Sequence, residues 1–397
     1  MRTSTAVARA IACLLALFLI YEWSRPDVLL VGYVTVDIVG NTTPTGGAVS
    51  YAAAALGALG LRACVVTVAG PDADLSVFAR HELHVVASEL TLTFEHTYTW
   101  FGNARRLHVP ANPNITLTVA HVPPRCRRAR VVIAAPLTLY DVDAASLLQH
   151  DGGWVEAALR GYQHVGLLAQ GFQRSIGAGG RVEPMRSPSP QLLAGLSPAV
   201  SLFLSDVETD EWAPGALASV AARSGRTLIT RGDKGATELS KGHATDIPPV
   251  HVPRAADTNG AGDTFATAYM VALAWGHGDP GAAASWAGSR AVLMPQSCKP
   301  HCAGEHLHEQ PPPSHAAASL LPHAGGAWLP RAAGAWAWRA RTAARARALQ
   351  ASHALEQLSA HARSALQGLA WLLLRDGGGG GGGGPVAVSA ALASAAV

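Results

Sequence analysis

Hydrophobic positions between residues 27 and 232 fall into short dense runs, each closed by glycine or by polar residues. "DVLLVGYVTVDIVG" (27–40) opens with a continuous β-branched run and then alternates, which predicts a buried strand followed by a half-buried one. "GGAVSYAAAALGALG" (46–60) is helical in composition and stops at Gly60, and "RACVVTVAG" (62–70) is a further short strand. "ARVVIAAPL", "HVGLLAQG", "AVSLFLSDV" and "RTLITRG" read as four more buried strands, with potentially helical stretches between them. Strand and helix in alternation predict an α/β fold with helices on both faces of the sheet. "TLTFEHTYTWF" (91–101) breaks this rhythm. It alternates strictly, with Phe94, Tyr98 and Trp100 on one face, and a Gly-Asn turn leads into "RRLHV". The expectation is a hairpin that stands apart as a small β element.

The chain's two ends differ from this middle. Residues 1–26 form a leader with Arg2, Arg9 and an apolar run from Ala10 to Tyr21, too short for a comfortable membrane span and similar to a signal, anchor or transit segment. Residues 299–330 are Pro/His/Ala-rich and read as a disordered linker. In 331–376, Leu355, Leu358, Ala362, Ala365, Leu369 and Leu372 lie on one helical face, a segment that packs loosely or meets a partner or membrane surface. Eight glycines at 377–384 begin a flexible tail to 397. The folded domain is therefore placed at 27–298, with lid strands near 33–45 and 91–109. A net charge of +3, its Arg excess concentrated in 331–376, does not point to nucleic acid. Five scattered cysteines do not resemble a disulfide framework and favour a reducing compartment. Cys298, Cys302, His306 and His308 match no standard zinc spacing and read as a solvated loop. Sequons at Asn41 and Asn114 argue against secretion, because a glycan at Asn41 would obstruct the glycine pair discussed below. An intracellular location, cytoplasm or plastid, is expected, with the apolar leader leaving membrane association open.

"AADTNGAGDTFATAY" (255–269) carries the clearest chemistry. A helix beginning near Thr264 leaves its first N–H groups unpaired and positively polarised. Gly260 and Gly262 allow close backbone approach, which suits a phosphate. A carboxylate at Asp263 would repel that phosphate unless it removes a proton from an attacking hydroxyl. A general base combined with oxyanion donors in one turn is equipment for phosphoryl transfer. The plainer alternative is an acid-capped helix after a glycine turn. There is no GxxxxGK[ST], so this is not a P-loop chain.

"DTNGAGD" (257–263) resembles the C-terminal signature of the PfkB carbohydrate kinases, the ribokinase-like family. "GYVTVDIV", "TGGAVSYAAAALGALG", "TFEHTYTWFGNARR", "APLTLYDVD", "AQGFQR" and "LITRGDKGA" resemble further parts of that family in the same order, over roughly residues 27–297. The likeness implies a three-layer α/β/α sandwich with a small β lid and an ATP- and Mg2+-dependent phosphotransferase. It gives Asp263 the role of base and Gly260, Ala261 and Gly262 that of oxyanion donors. Thr230, Gly232, Gly235, Asp257 and Thr258 would border the nucleotide. Asp37, Thr35, Gly46, Gly47, Tyr51 and Gln170 would face the substrate, with Arg174 a further candidate beside Gln170. Tyr51 replaces a frequent Asn, which favours an inositol-like polyol over ribose. Ser205-Asp206-Val207-Glu208 replaces the magnesium-associated Asn-x-x-Glu, leaving Glu208 an indirect role, and the glycine expected soon after Asp72 is missing. A nucleoside kinase, with Phe94, Tyr98 and Trp100 stacking on a base, and a non-catalytic scaffold or regulatory protein are the alternatives. A homodimer through the lid strands is left open.

Overall fold

The computed structural model describes residues 26–98, 105–148, 163–252, 254–276 and 279–293. Residues 1–25 of the leader, Trp100, the Cys298–His308 cluster, the 299–330 linker and everything C-terminal to it lie outside the described residues.

In chain order the strands are β1 (Val28–Gly32), β2 (Thr35–Val39), β3 (Thr45–Gly46), β4 (Ala63–Ala69), β5 (Glu82–Ala87), β6 (Leu92–Tyr98), β7 (Arg105–Ala111) and β8 (Val131–Ala135). They continue with β9 (His164–Leu168), β10 (Arg174–Ile176), β11 (Val182–Pro184), β12 (Val200–Ser205), β13 (Arg226–Thr230), β14 (Ala236–Ser240) and β15 (His243–Ile247). The helices are α1 (Ala48–Ala58), α2 (Ala144–Leu148), α3 (Pro190–Gly195), α4 (Asp206–Thr209), α5 (Ala216–Arg223), α6 (Ala261–Trp275) and α7 (Pro280–Ala291).

Nine strands form one sheet in the order β15-β14-β13-β12-β9-β8-β1-β4-β5. Every pairing from β13 to β5 is parallel, and only the β13–β14 and β14–β15 pairings are antiparallel. β1 and β8 at its centre are buried at every position, as a sheet covered on both sides requires. Neighbouring residues of β9 show the two covers. A Cβ at Gly166 would meet Met270 of α6, whereas Leu167, pointing the other way, approaches Gly195 of α3. The expected α/β sandwich is thus present. β6 and β7 lie outside this sheet, in a second sheet ordered β3-β2-β6-β7. The alternation in "TFEHTY" encoded that separate hairpin.

Three strands of the main sheet were not visible in the hydrophobic pattern. β5 is an edge strand whose apolar residues are interleaved with half-buried Glu82 and His84. β14 and β15 form a polar edge hairpin closed by Lys241 (φ 52°) and Gly242 (φ 78°), the left-handed pair that a two-residue hairpin turn needs. The cysteine expectation requires correction as well. Cys64 on β4 and Cys126, in a 3-10 turn at Cys126–Arg128, form a disulfide although 62 residues separate them. Both are fully buried, and spacing alone could not reveal a pairing made by sheet topology. Unpaired cysteines therefore no longer support a reducing compartment. Among the described residues no helix is long and apolar enough to cross a membrane.

Candidate active site

β2 follows β1 after a two-residue link, Tyr33-Val34, and carries Thr35 and Asp37, both buried. The Thr35 hydroxyl donates to Asp37 Oδ1 at 2.8 Å, which fixes the carboxylate. β3 then brings Gly46 against them, and a side chain there would run into Asp37 Oδ2 and Thr35 Oγ1. Gly47 (φ 89°) starts α1 where a Cβ would press on the Tyr33 carbonyl, so the glycine pair is required by the protein's own packing. His96 was not anticipated as a site residue. Its Nε2 lies 3.7 Å from Asp37 Oδ2, and its buried Nδ1 has no hydrogen-bond partner among the described residues. The signal was available, since His96 shares the alternating face of Phe94.

The "GAG" turn forms the opposite wall. Gly260 (φ 72°) is the N-cap of α6, and Tyr51 of α1 lays its ring directly against it. Tyr51 is 93% buried by this packing, so its ring supports the turn. The Ala261 N–H bends back to the Thr258 carbonyl at 3.3 Å, which withdraws it from the expected set of oxyanion donors. Gly262 differs from its neighbours: a Cβ there would meet nothing within 4 Å. Asp263 is half-buried in the first turn, where Gln170 Nε2 approaches its Oδ1 at 3.4 Å. Arg174 in turn donates to Gln170 Oε1 at 2.9 Å and lies over the Phe94 ring of the lid at 5.6 Å. Phe94 pairs in register with Asp37. Strand pairing, ring packing and hydrogen bonds thus run from Asp37 through Phe94, Arg174 and Gln170 to Asp263. Asp257 accepts from the Asn259 N–H at 3.0 Å and shapes the turn, and Thr258 is exposed.

Thr230 ends β13 beside Ser205 of β12 and donates to the Leu204 carbonyl at 3.4 Å. Gly232 (φ 57°) faces open space, whereas Gly235 (φ 86°) abuts the Ile247 carbonyl and Pro249. Ser205 and Glu208 form a capping box on α4. Glu208 Oε2 accepts from the Ser205 N–H at 2.5 Å and from its hydroxyl at 2.7 Å. The Ser-x-x-Glu spacing thus has a local structural reason, and it commits one carboxylate oxygen. Asp72 Oδ1 accepts from the Thr91 hydroxyl at 2.6 Å, which ties its turn to the start of β6 without the missing glycine.

Asp141, from "APLTLYDVD", lies behind the site. It is buried, its Oδ2 accepts from the Leu137 and Thr138 N–H groups, and its Oδ1 has no partner among the described residues. Burial pushes its pKa up to about 7, although those N–H groups and Arg174 pull the other way. The native state then holds a proton that the unfolded chain releases near pH 4, so stability is greatest in acid and falls as pH rises towards 7. Asp141→Asn removes the titration, and the parent should lose roughly 2–3 kcal/mol more than the variant between pH 5 and 8. Urea unfolding at both pH values measures this; parallel losses would dismiss the buried-acid account.

Residues 184–299 match the family model described as pfkB family carbohydrate kinase. This part of the chain is similar to that family, and the fold is ribokinase-like. Among solved structures, a pyrophosphate-dependent kinase in the ribokinase family, complexed with a pyrophosphate analog and myo-inositol, aligns at TM-score 0.53 and 17% identity. The alignment covers 68% of this chain and 96% of that one. A microbiome-derived acarbose kinase gives TM-score 0.50 and 19% identity over 72% of this chain and all of its own. A probable sugar kinase from Rhizobium etli gives 0.51 and 16%, over 70% and 99% of the two chains. No curated protein sequence matches the chain. At these identities the likeness shows the ribokinase-like fold alone.

Proposed function

We propose that this PfkB-type chain transfers the terminal phosphoryl group of ATP to an alcohol of a sugar or polyol, with an inositol-like ring as the favoured acceptor. One observation carries the reading. A carboxylate at the start of α6 stands next to a glycine with no neighbour within 4 Å of its open side among the described residues, and is joined through Gln170, Arg174 and Phe94 to the lid acid Asp37.

Asp37, held by Thr35, would accept hydrogen bonds from acceptor hydroxyls in the lee of Gly46 and Gly47. Asp263 would take the proton of the attacking hydroxyl as its oxygen bonds to phosphorus and the diphosphate leaves. The Gly260 and Gly262 N–H groups, at the positive end of α6, would face the phosphoryl oxygens. Thr230, Gly232, Gly235, Asp257 and Thr258 would border the nucleotide. Mg2+ would neutralise charge on the phosphates, with Glu208 orienting its water shell through the oxygen that Ser205 leaves. Asp37 and His96 supply both an acceptor and a ring nitrogen for a polyhydroxylated ring, and a structural neighbour complexed with myo-inositol is consistent with that class. A nucleoside acceptor is less well served, because Phe94 is 96% buried under Arg174 and offers no open ring face.

The test is phosphate transfer across a panel of polyols, sugars and nucleosides, with MgATP or pyrophosphate as donor. Turnover confined to nucleosides transfers the assignment to them; no turnover on any acceptor with either donor leaves a non-catalytic protein. Gly262→Ala sharpens the result. Alanine suits a helix better than glycine by about 1 kcal/mol, and nothing in the protein obstructs its methyl. Stability should hold or rise while kcat/KM falls about 10²-fold, the scale of an ångström's misplacement of reacting groups. Equal activity in the variant would mean that no ligand approaches Gly262.

A further inference from the structure

At the edge of the main sheet, Cys64, Glu82, His84 and Cys126 bring four potential ligand atoms within 4.8 Å of one another. Cys64 and Glu82 are paired across β4 and β5, and His84 follows two residues later on the same face. Glu82 Oε1 lies 2.5 Å from His84 Nε2, 3.1 Å from Cys126 Sγ and 3.7 Å from Cys64 Sγ, while His84 Nε2 is 3.9 Å from Cys126 Sγ. A disulfide has no S–H to donate, so its stability does not require a carboxylate and an imidazole converging on the sulfurs. A metal ion does. We propose that, when the Cys64–Cys126 bond is reduced, these four residues bind a zinc-class divalent cation.

The ligand set is chemically complete. Two thiolates, an imidazole nitrogen and a carboxylate oxygen make a closed tetrahedral site of the structural kind. Zn–S bonds of about 2.3 Å at tetrahedral angles set the sulfurs about 3.8 Å apart. The Cα atoms are already only 5.9 Å apart, so rotation of the two side chains opens that space. Arg125 Nε donates to Glu82 Oε1 at 2.7 Å. It offsets the single negative charge left by two thiolates and one carboxylate around a dication, and orients the carboxylate as outer-shell groups do. The chemistry balances with a dithiol reductant, which gives two electrons and two protons to the disulfide and is itself oxidised to a cyclic disulfide. The two new thiols then release their protons as the cation binds. Both sulfurs are fully buried, whereas Glu82 and His84 are about 30% exposed, so the cation enters from their side.

The full chain carrying Cys298→Ser and Cys302→Ser, which removes the other cysteine–histidine cluster, is titrated with Co2+ and with Zn2+ after reduction by a dithiol and its removal under anaerobic conditions. Expected are about one cation per chain, the absorption of tetrahedral thiolate-bound cobalt, and displacement of cobalt by zinc. His84→Ala and Glu82→Gln, at half-exposed positions that tolerate substitution, should each weaken binding at least 10-fold, and Cys64→Ser should abolish the thiolate–cobalt band. The disulfide form should bind no cobalt. No uptake by the reduced parent, or unchanged affinity in both His84→Ala and Glu82→Gln, would overturn the proposal.

Discussion

Asp263→Asn should lower kcat for phosphoryl transfer by 10²- to 10⁴-fold, the range attributable to a positioned general base. At 25 °C this is a loss of about 3–5 kcal/mol of transition-state stabilisation. Asparagine has the same shape, its carbonyl oxygen can still accept from Gln170 Nε2, and the backbone bond from the Thr267 hydroxyl to the Asp263 carbonyl is untouched. Unfolding free energy and acceptor KM should therefore stay close to the parent's. An acid that only caps α6 would behave differently: its replacement would cost up to ~1 kcal/mol of stability at the positive end of the helix and leave kcat alone. Steady-state kinetics and denaturant unfolding on the same preparation distinguish the two. Full turnover in the variant would remove Asp263 from the mechanism.

The sequence was informative about this wall of the site because the GAG turn and the acid are consecutive, and their conformational demands are written in residue type. Gly260 and Gly47 both have positive φ, and Gly46 lies where any side chain would strike Asp37. The buried strands were equally legible, since a parallel sheet covered on both faces has to be continuously apolar. What could not be read is what long-range packing decides. Tyr51 and Gly260 are distant in sequence, and only the meeting of α1 with α6 turns an expected substrate contact into a support for the turn. Glu208 faces its own N-cap because Ser205 is close enough to bond it, a local preference that competes with any role in cation binding. Edge strands escaped because their outer surfaces are wet and polar, and the disulfide because topology, not spacing, joins β4 to the turn after β7.

Gly260→Ala should cost about 2–5 kcal/mol of stability. Two penalties combine. An alanine at φ 72° carries about 1–2 kcal/mol of left-handed strain. Its methyl would also sit 2.7 Å from Tyr51 Cε1 and closer still to Cδ1 and Cγ on the same edge of the ring, an overpacking that adds about 1–3 kcal/mol. Tyr51→Ala separates them, because it removes the obstacle and leaves the backbone strain. In that background the glycine substitution should cost only the strain, and the difference between backgrounds is the coupling energy of the pair. Denaturant midpoints of the four proteins in the cycle measure it. A cost for Gly260→Ala that is the same with and without the ring would show that Tyr51 does not support the turn, which would then have to be held by other contacts.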